Sequence, residues 1–350
     1  MKPQRLEQLT FTRFISAFII LISHFKPIKI VNDEWFVPLF HNFFAVSYFF
    51  TLSGFVLGIT YYDRFKVFDF KELKNYFVAR FARIYPVYLL ALLMVIVFEY
   101  YITKTVRYSP VNILLNVTLL QGWFDTEIIN FPSWSLSCEA FFYIIFPFCV
   151  GIIRKWESTK ILTNMFILWT LTQLVVYIAL YLLTDVPFYL RLHPLVHSPT
   201  FLLGVCIAFY YKRTNAHLEH LNRFSNWLLL AVIISELLGK PKFNFESLQI
   251  PHYLLFLYFA SSNNNFTVKY FKHEFLVLLG KASYGLYLLQ GILYKIFDFF
   301  CQKYVTIRYV NYDNIKFFIF VFLSVTISII VYQFYEKPLH KELSKVLINN

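Results

Sequence analysis

Long, almost uncharged apolar runs recur from one end of the chain to the other, near residues 9–25, 42–62, 77–101, 138–153, 161–183, 200–211, 225–238, 250–260, 275–299 and 316–335. A backbone surrounded by lipid must satisfy its own hydrogen bonds, and a helix does so within one segment. Ten such runs separated by polar loops therefore predict an all-α polytopic membrane protein of about ten transmembrane helices. Composition excludes the soluble alternative: 58% of residues are hydrophobic and 15% charged, with a mean hydropathy of +0.56, where a soluble domain carries about 25% charged residues. Several runs fall short of the roughly 20 residues of a full crossing, so their boundaries are soft. The run 112–121 is shorter still, contains Asn112 and Asn116, and reads as re-entrant or interfacial.

Loop charge gives the direction. With the N-terminus inside and ten spans, Lys and Arg fall about twice as often in the inner segments as in the outer ones, the bias expected of cytosolic loops. Both termini are then cytosolic. Counting 112–121 as a span would flip every later loop and remove most of that bias. The net charge of +12 reflects the same anchoring, so no nucleic-acid partner is implied. The 26 tyrosines fit the aromatic belts at membrane interfaces. Cys138, Cys149, Cys206 and Cys301 show no paired spacing, neither a disulfide framework nor a zinc signature. The first apolar run leads into further spans without a small-residue cleavage site, so it is expected to be retained.

Three constellations carry ionisable groups into this apolar background. In RFISAFIILISH, Arg13 and His24 bracket ten apolar or uncharged residues, and a helix sets them roughly 16 Å apart along its axis. Either something crosses the membrane between them, or Arg13 snorkels to the inner interface and His24 marks the outer end of a span. Arg80 and Arg83, at i and i+3, share a helix face and suit bidentate phosphate binding, or they anchor the inner end of a span. Glu139 follows Phe131-Pro132-Ser133-Trp134-Ser135-Leu136-Ser137-Cys138. It complements a helix start capped by one of those serines, or it stands level with His24 and fixes the imidazole tautomer.

Taken together, Arg13 with His24, FFTLSGF at 49–55, RFARIYP at 80–86, PSWSLSCE at 132–139 followed by FFYIIFP, SYGLYLL at 283–289 and Tyr335-Glu336-Lys337-Pro338 resemble, in matching order, the membrane acyltransferase-3 family. The resemblance covers nearly the whole chain. It implies a bacterial inner-membrane enzyme that moves an acyl group, usually acetyl, from cytosolic acetyl-CoA or another acyl-CoA to a hydroxyl of a cell-surface or exported glycan. Residue by residue it implies His24 and Glu139 as catalytic groups and Arg13, Arg80 and Arg83 at the acyl donor. Ser53, Trp134, Ser135, Tyr143, Tyr287 and Gln290 would contact or support the substrate, and Gly54 would permit close helix approach. The family often places a His soon after the SYGLYL motif, where this chain has Gln290. A glutamine hydrogen-bonds but exchanges no proton near neutral pH, so the burden falls on His24. The expected organisation is one membrane acyltransferase domain over 1–350 with no appended soluble domain. Its expected partners are a glycan or lipid-linked saccharide acceptor, membrane lipid and separate glycan-assembly proteins.

A thioester is already activated, so such an enzyme needs a base for the acceptor hydroxyl, positioning, and stabilisation of developing negative charge. With a reference pKa near 6.5, His24 suits base or acyl-carrier duty. No metal is implied: His193 and His197 have i, i+4 spacing, but Pro194 and Pro199 argue against a regular helix presenting both. Lys295 and Asp298 are spaced to pair within one helix. The competing class is a transporter or proton-coupled carrier using Arg13, His24 and Glu139 as a relay. It predicts inverted repeats, and the sequence shows no such symmetry.

Overall fold

The computed structural model describes residues 6–25, 43–65, 69–182, 191–214, 254–255, 257–258, 266–304 and 312–349. Every regular element among them is helical: α1 (Gln8–Phe25), α2 (Phe43–Tyr61), α3 (Phe70–Thr103), α4 (Pro110–Val117), a 3-10 turn Phe131–Ser133 running into α5 (Trp134–Ile153), α6 (Ser158–Leu182), α7 (Pro194–Thr214), α8 (Phe266–Phe271), α9 (Glu274–Tyr304), α10 (Tyr312–Val331), a π turn Tyr332–Glu336 and α11 (Lys337–Asn349). Six stretches among the described residues are long and apolar enough to cross a membrane: Gln8–Phe25, Phe70–Thr103, Phe131–Ile153, Pro194–Thr214, Glu274–Tyr304 and Tyr312–Lys345, with Ala45–Tyr61 a shorter apolar helix. The expected spans at 225–238 and, for the most part, 250–260 lie outside the described residues.

Contacts between side chains fix the helix directions. Tyr284 of α9 donates to the Ile84 carbonyl of α3 at 2.6 Å, and further along both helices Lys295 reaches Glu99 at 2.8 Å, so α3 and α9 run parallel. Gly280 packs on Thr10 of α1, while Gln290 lies near His24, which makes α1 parallel to both. Running the other way, α5 meets α3 through Tyr143 against Arg80 and Phe146 against Tyr76. It shares its direction with α2 and α7 through Phe50–Trp134, Tyr61–Phe146 and Phe142–Phe201. Finally, α10 runs antiparallel to α9, since Gly285 lies on Ser328 and Asp298 pairs with Lys316. The start of α1 and the end of α10 therefore share one face of the bundle.

These directions account for the weakest apolar run. Because α3 and α5 are antiparallel, the chain between them returns to the face it left. Within it, α4 has only eight residues, about 12 Å at 1.5 Å per residue, too short to cross. Its two asparagines are structural. Asn116 is fully buried, donates to the carbonyls of Asn112 (2.8 Å) and Glu127 (3.0 Å), and accepts from the Ile129 amide (3.1 Å). It thereby satisfies a loop that would otherwise bury bare backbone.

Two close helix contacts hold the bundle. A Cβ on Gly54 would lie 2.0 Å from the Phe201 carbonyl oxygen, and one on Gly204 would lie 2.0 Å from that of Thr51. Only hydrogen at both positions lets α2 and α7 touch backbone to backbone, as small residues do between membrane helices. Both helix ends also use basic residues as braces. Arg154 donates to the carbonyls of Tyr62 (2.5 Å) and Arg64 (2.7 Å), and Arg213 to those of Trp156 (2.5 Å) and Arg154 (2.8 Å).

Three local expectations change. Proline does not break α7: Pro194 stands at its first position, and Ser198 Oγ donates to the Leu195 carbonyl at 2.9 Å, the acceptor that Pro199 leaves without its usual N–H. The partner of Lys295 is Glu99, while Asp298 bonds Lys316 and Gln302. Starting at Trp134, α5 begins early enough to leave Glu139 beyond its first turn, and Ser133 makes no side-chain cap bond. Tyr48, Tyr61, Tyr76, Tyr88, Tyr143 and Tyr287 are buried within the bundle.

Candidate functional site

The sequence-predicted residues fall into two groups joined by a line of polar side chains. Arg13 lies within electrostatic reach of Arg83, Tyr143, Glu139 and Tyr48. Tyr48 is itself held by its hydroxyl on Thr12 at 2.5 Å. Arg80 sits among three tyrosine rings, 5.8 Å from the centroid of Tyr61, 6.0 Å from Tyr76 and 5.8 Å from Tyr143, a cation–π enclosure. Its Nε is buried without a hydrogen-bond partner among the described residues. Arg83 is ion-paired with Glu336 and lies over the Tyr284 ring at 5.6 Å.

Glu139 accepts from Ser53 Oγ at 3.3 Å and from the Tyr143 hydroxyl. Tyr143 stands one turn further along α5, so a single phenol touches both the Arg80 guanidinium and the Glu139 carboxylate. Three guanidiniums with two carboxylates leave this region positive and suited to an anion carrying several charges.

At the far end of α1, the His24 ring packs edge-on against Phe131, with centroids 6.4 Å apart, and lies within hydrogen-bonding reach of the Gln290 amide. Gln290 is fully buried and donates to the Tyr287 carbonyl at 3.0 Å. One helical step away, the hydroxyls of Tyr287 and Ser135 are 2.9 Å apart, each 3.0 Å from the Pro132 carbonyl oxygen. Trp134 is buried against Phe50 and His197. By position along α5, the bonded pair Ser135 and Tyr287 lies nearer the His24 end and the bonded pair Glu139 and Ser53 nearer the arginines.

Glu139 belongs to the arginine group. Eight residues separate it from Phe131, so it lies about 12 Å further along α5 than the level of His24. Gln290 is within hydrogen-bonding reach of the imidazole. His193 packs edge-on against Trp123 (4.9 Å) and burial pushes its pKa down, while His197 Nε2 donates to the Arg191 carbonyl at 2.9 Å. Cys138 is buried with its thiol on the Leu192 carbonyl at 3.4 Å.

Sequence reasoning did not single out Tyr48, Tyr61, Tyr76, Tyr284 or Glu336. Tyr284 and Glu336 stand inside the SYGLYLL and Tyr335-Glu336-Lys337-Pro338 motifs, which offered a signal. The other three were hidden among many tyrosines.

In sequence the chain is similar to proteins named as acyltransferases. Acyltransferase MdmB of Streptomyces mycarofaciens is 33% identical over 163 residues, 43% of this chain and 41% of its own length. A provisionally named O-acetyltransferase of Staphylococcus aureus (strain COL) is 22% identical over 365 aligned residues, 96% of this chain and 57% of its own length. The peptidoglycan O-acetyltransferase OatA of Listeria monocytogenes is 22% identical over 179 residues, 45% of this chain and 28% of its own length. The chain thus spans about half or less of the length of these relatives. No solved structure matches it. The family model for the acyltransferase domain, acyltransferase-3, matches residues 6–333, and the chain belongs to that family of membrane acyltransferases.

Proposed function

We propose that this protein is a membrane O-acyltransferase that takes an acyl group, acetyl by preference, from cytosolic acyl-CoA and delivers it to a hydroxyl of a cell-surface or exported glycan. One observation carries the reading: Arg13, clustered with Arg80 and Arg83 of α3, stands on the same helix as His24 and roughly 16 Å from it, with the hydroxyls of Ser53, Ser135 and Tyr287 between the two ends.

In this reading Arg13, Arg80 and Arg83 hold the phosphates of the donor, and Tyr143 and Glu139 keep Arg13 and Arg80 in place. The extended arm of the donor bridges the separation to His24. There the imidazole takes the proton of the acceptor hydroxyl as its oxygen bonds to the thioester carbonyl carbon. As the carbon–sulfur bond breaks, the imidazolium returns that proton to the departing thiolate. Gln290 orients the ring. Transfer through a transient acyl-histidine uses the same groups in two steps.

The face shared by the start of α1 and the end of α10 is cytosolic in this reading, in a bacterial inner membrane. Mass analysis of surface glycans from cells with and without the chain tests it. An acyl-ester mass increment that depends on the chain supports the reading, and identical glycan masses refute it.

A further inference from the structure

We propose that Glu336 is a positioning residue for Arg83 in the acyl-donor site, an inference that rests on the donor reading of the arginine cluster. The Tyr335-Glu336-Lys337-Pro338 motif has no role in the chemistry above, yet it reaches across the whole sequence to the RFARIYP segment of α3. Glu336 pairs with Arg83 while only 2% exposed, against 29% for the arginine. Next to it, the Tyr335 hydroxyl donates to the Pro86 carbonyl at 3.3 Å.

Both residues belong to the π turn Tyr332–Glu336. Its wider turn offsets the register of the last helix, and such turns recur at functional sites. Here the offset directs the Glu336 carboxylate inward, while Phe334, two residues earlier, remains 76% exposed.

The arrangement constrains Arg83 on two sides. Its guanidinium lies over the Tyr284 ring, whose hydroxyl is tied to the Ile84 carbonyl at 2.6 Å, and Nη1 is bound to Glu336. An arginine fork has five N–H donors, so an edge committed to Glu336 leaves another edge free to meet an anion in a fixed direction. The carboxylate also offsets the repulsion between Arg83 and Arg13, which lie within electrostatic reach of each other. An arginine and a carboxylate fixed in this way form a directed anion contact rather than a loose positive charge.

The test uses the full chain, purified in detergent, as wild type, Glu336→Gln, Arg83→Lys and the double variant. Three quantities are read: KM and kcat with acetyl-CoA, and the shift in Tm produced by coenzyme A. Glu336→Gln keeps the shape and an acceptor oxygen but removes the charge.

The inference expects KM to rise about tenfold, the worth of one charge-assisted hydrogen bond, with kcat within about twofold of wild type and a smaller coenzyme A shift. Because Glu336 acts through Arg83, the double variant should be no worse than Arg83→Lys alone. An unchanged or lowered KM in Glu336→Gln, with a lower Tm in the absence of ligand, would make the residue a structural brace and overturn the inference. Effects that multiply in the double variant would also overturn it. A wild type that coenzyme A does not shift refutes the donor reading and the inference together. A wild type and a Glu336→Gln variant that respond equally refute the inference alone.

Discussion

In the proposed mechanism the chemistry turns on His24, and its surroundings differ from those of Glu139. The imidazole has Phe131 at its edge and the Gln290 amide beside it. Glu139, bonded to Ser53 and Tyr143, lies with the arginines. Replacing His24 by Ala should lower acyl transfer by about 10²–10⁴-fold, the usual contribution of a positioned base, with membrane insertion unchanged. Product acylation at the wild-type level in cells expressing this variant would remove His24 from the mechanism. Glu139→Gln should instead raise KM for the acyl donor more than it lowers kcat, because it loosens Tyr143 and leaves Arg13 with less opposing charge. Steady-state kinetics in membranes separates the two effects, and a pure kcat loss would return Glu139 to the histidine. Arg13 and His24 were legible in the sequence because a charge inside an apolar run has no neighbours to hide it. The tyrosines around Arg80 were not, since a phenol in an apolar helix reads equally well as core, belt or site.

At the scale of helices, the contact between α2 and α7 is set by hydrogen atoms at Gly54 and Gly204. Gly204→Ala should destabilise the protein by about 1–3 kcal/mol, the cost of forcing atoms into a filled contact, since the new Cβ would meet the Thr51 carbonyl oxygen at 2.0 Å. At Gly151 an added Cβ would meet nothing within 4 Å, so Gly151→Ala should leave Tm unchanged. Thermal unfolding in detergent compares the two variants, and equal Tm values would show that α2 and α7 are not held by close approach. Gly54 could be read from sequence as a point of close approach, but its partner Gly204 could not. Pairing between helices about 150 positions apart depends on their common direction, which no local pattern contains. Helix α7 shows the reverse case. Its prolines read as breaks, while the hydroxyl of Ser198 that repairs the second one is visible only once the helix is built.

For the whole molecule, the helix directions require α6 to connect parallel α5 and α7 by one crossing. They also require the segment between α7 and α9 to leave and return at the same face. A reporter joined after Thr214 and another after Asn349 should therefore both be cytosolic, and one after Lys104 should lie outside. Alkaline phosphatase and fluorescent protein fusions read these positions, and a cytosolic Lys104 fusion would invert the proposed orientation. The all-helical plan was legible because long apolar runs are read directly from sequence; the span number and the orientation are what these fusions test. Ser53, Ser135, Tyr287, Glu139 and Gln290 were legible as site residues through the family motifs, but their grouping was not: Gln290 joins His24 and Glu139 joins the arginines through tertiary packing. The most direct test supplies purified protein in proteoliposomes with radiolabelled acetyl-CoA on the face bearing the N-terminus and a glycan acceptor on the opposite face. The account predicts labelled, ester-linked product with the wild type and none above background with His24→Ala. Equal labelling by both proteins, or none with either, would contradict it.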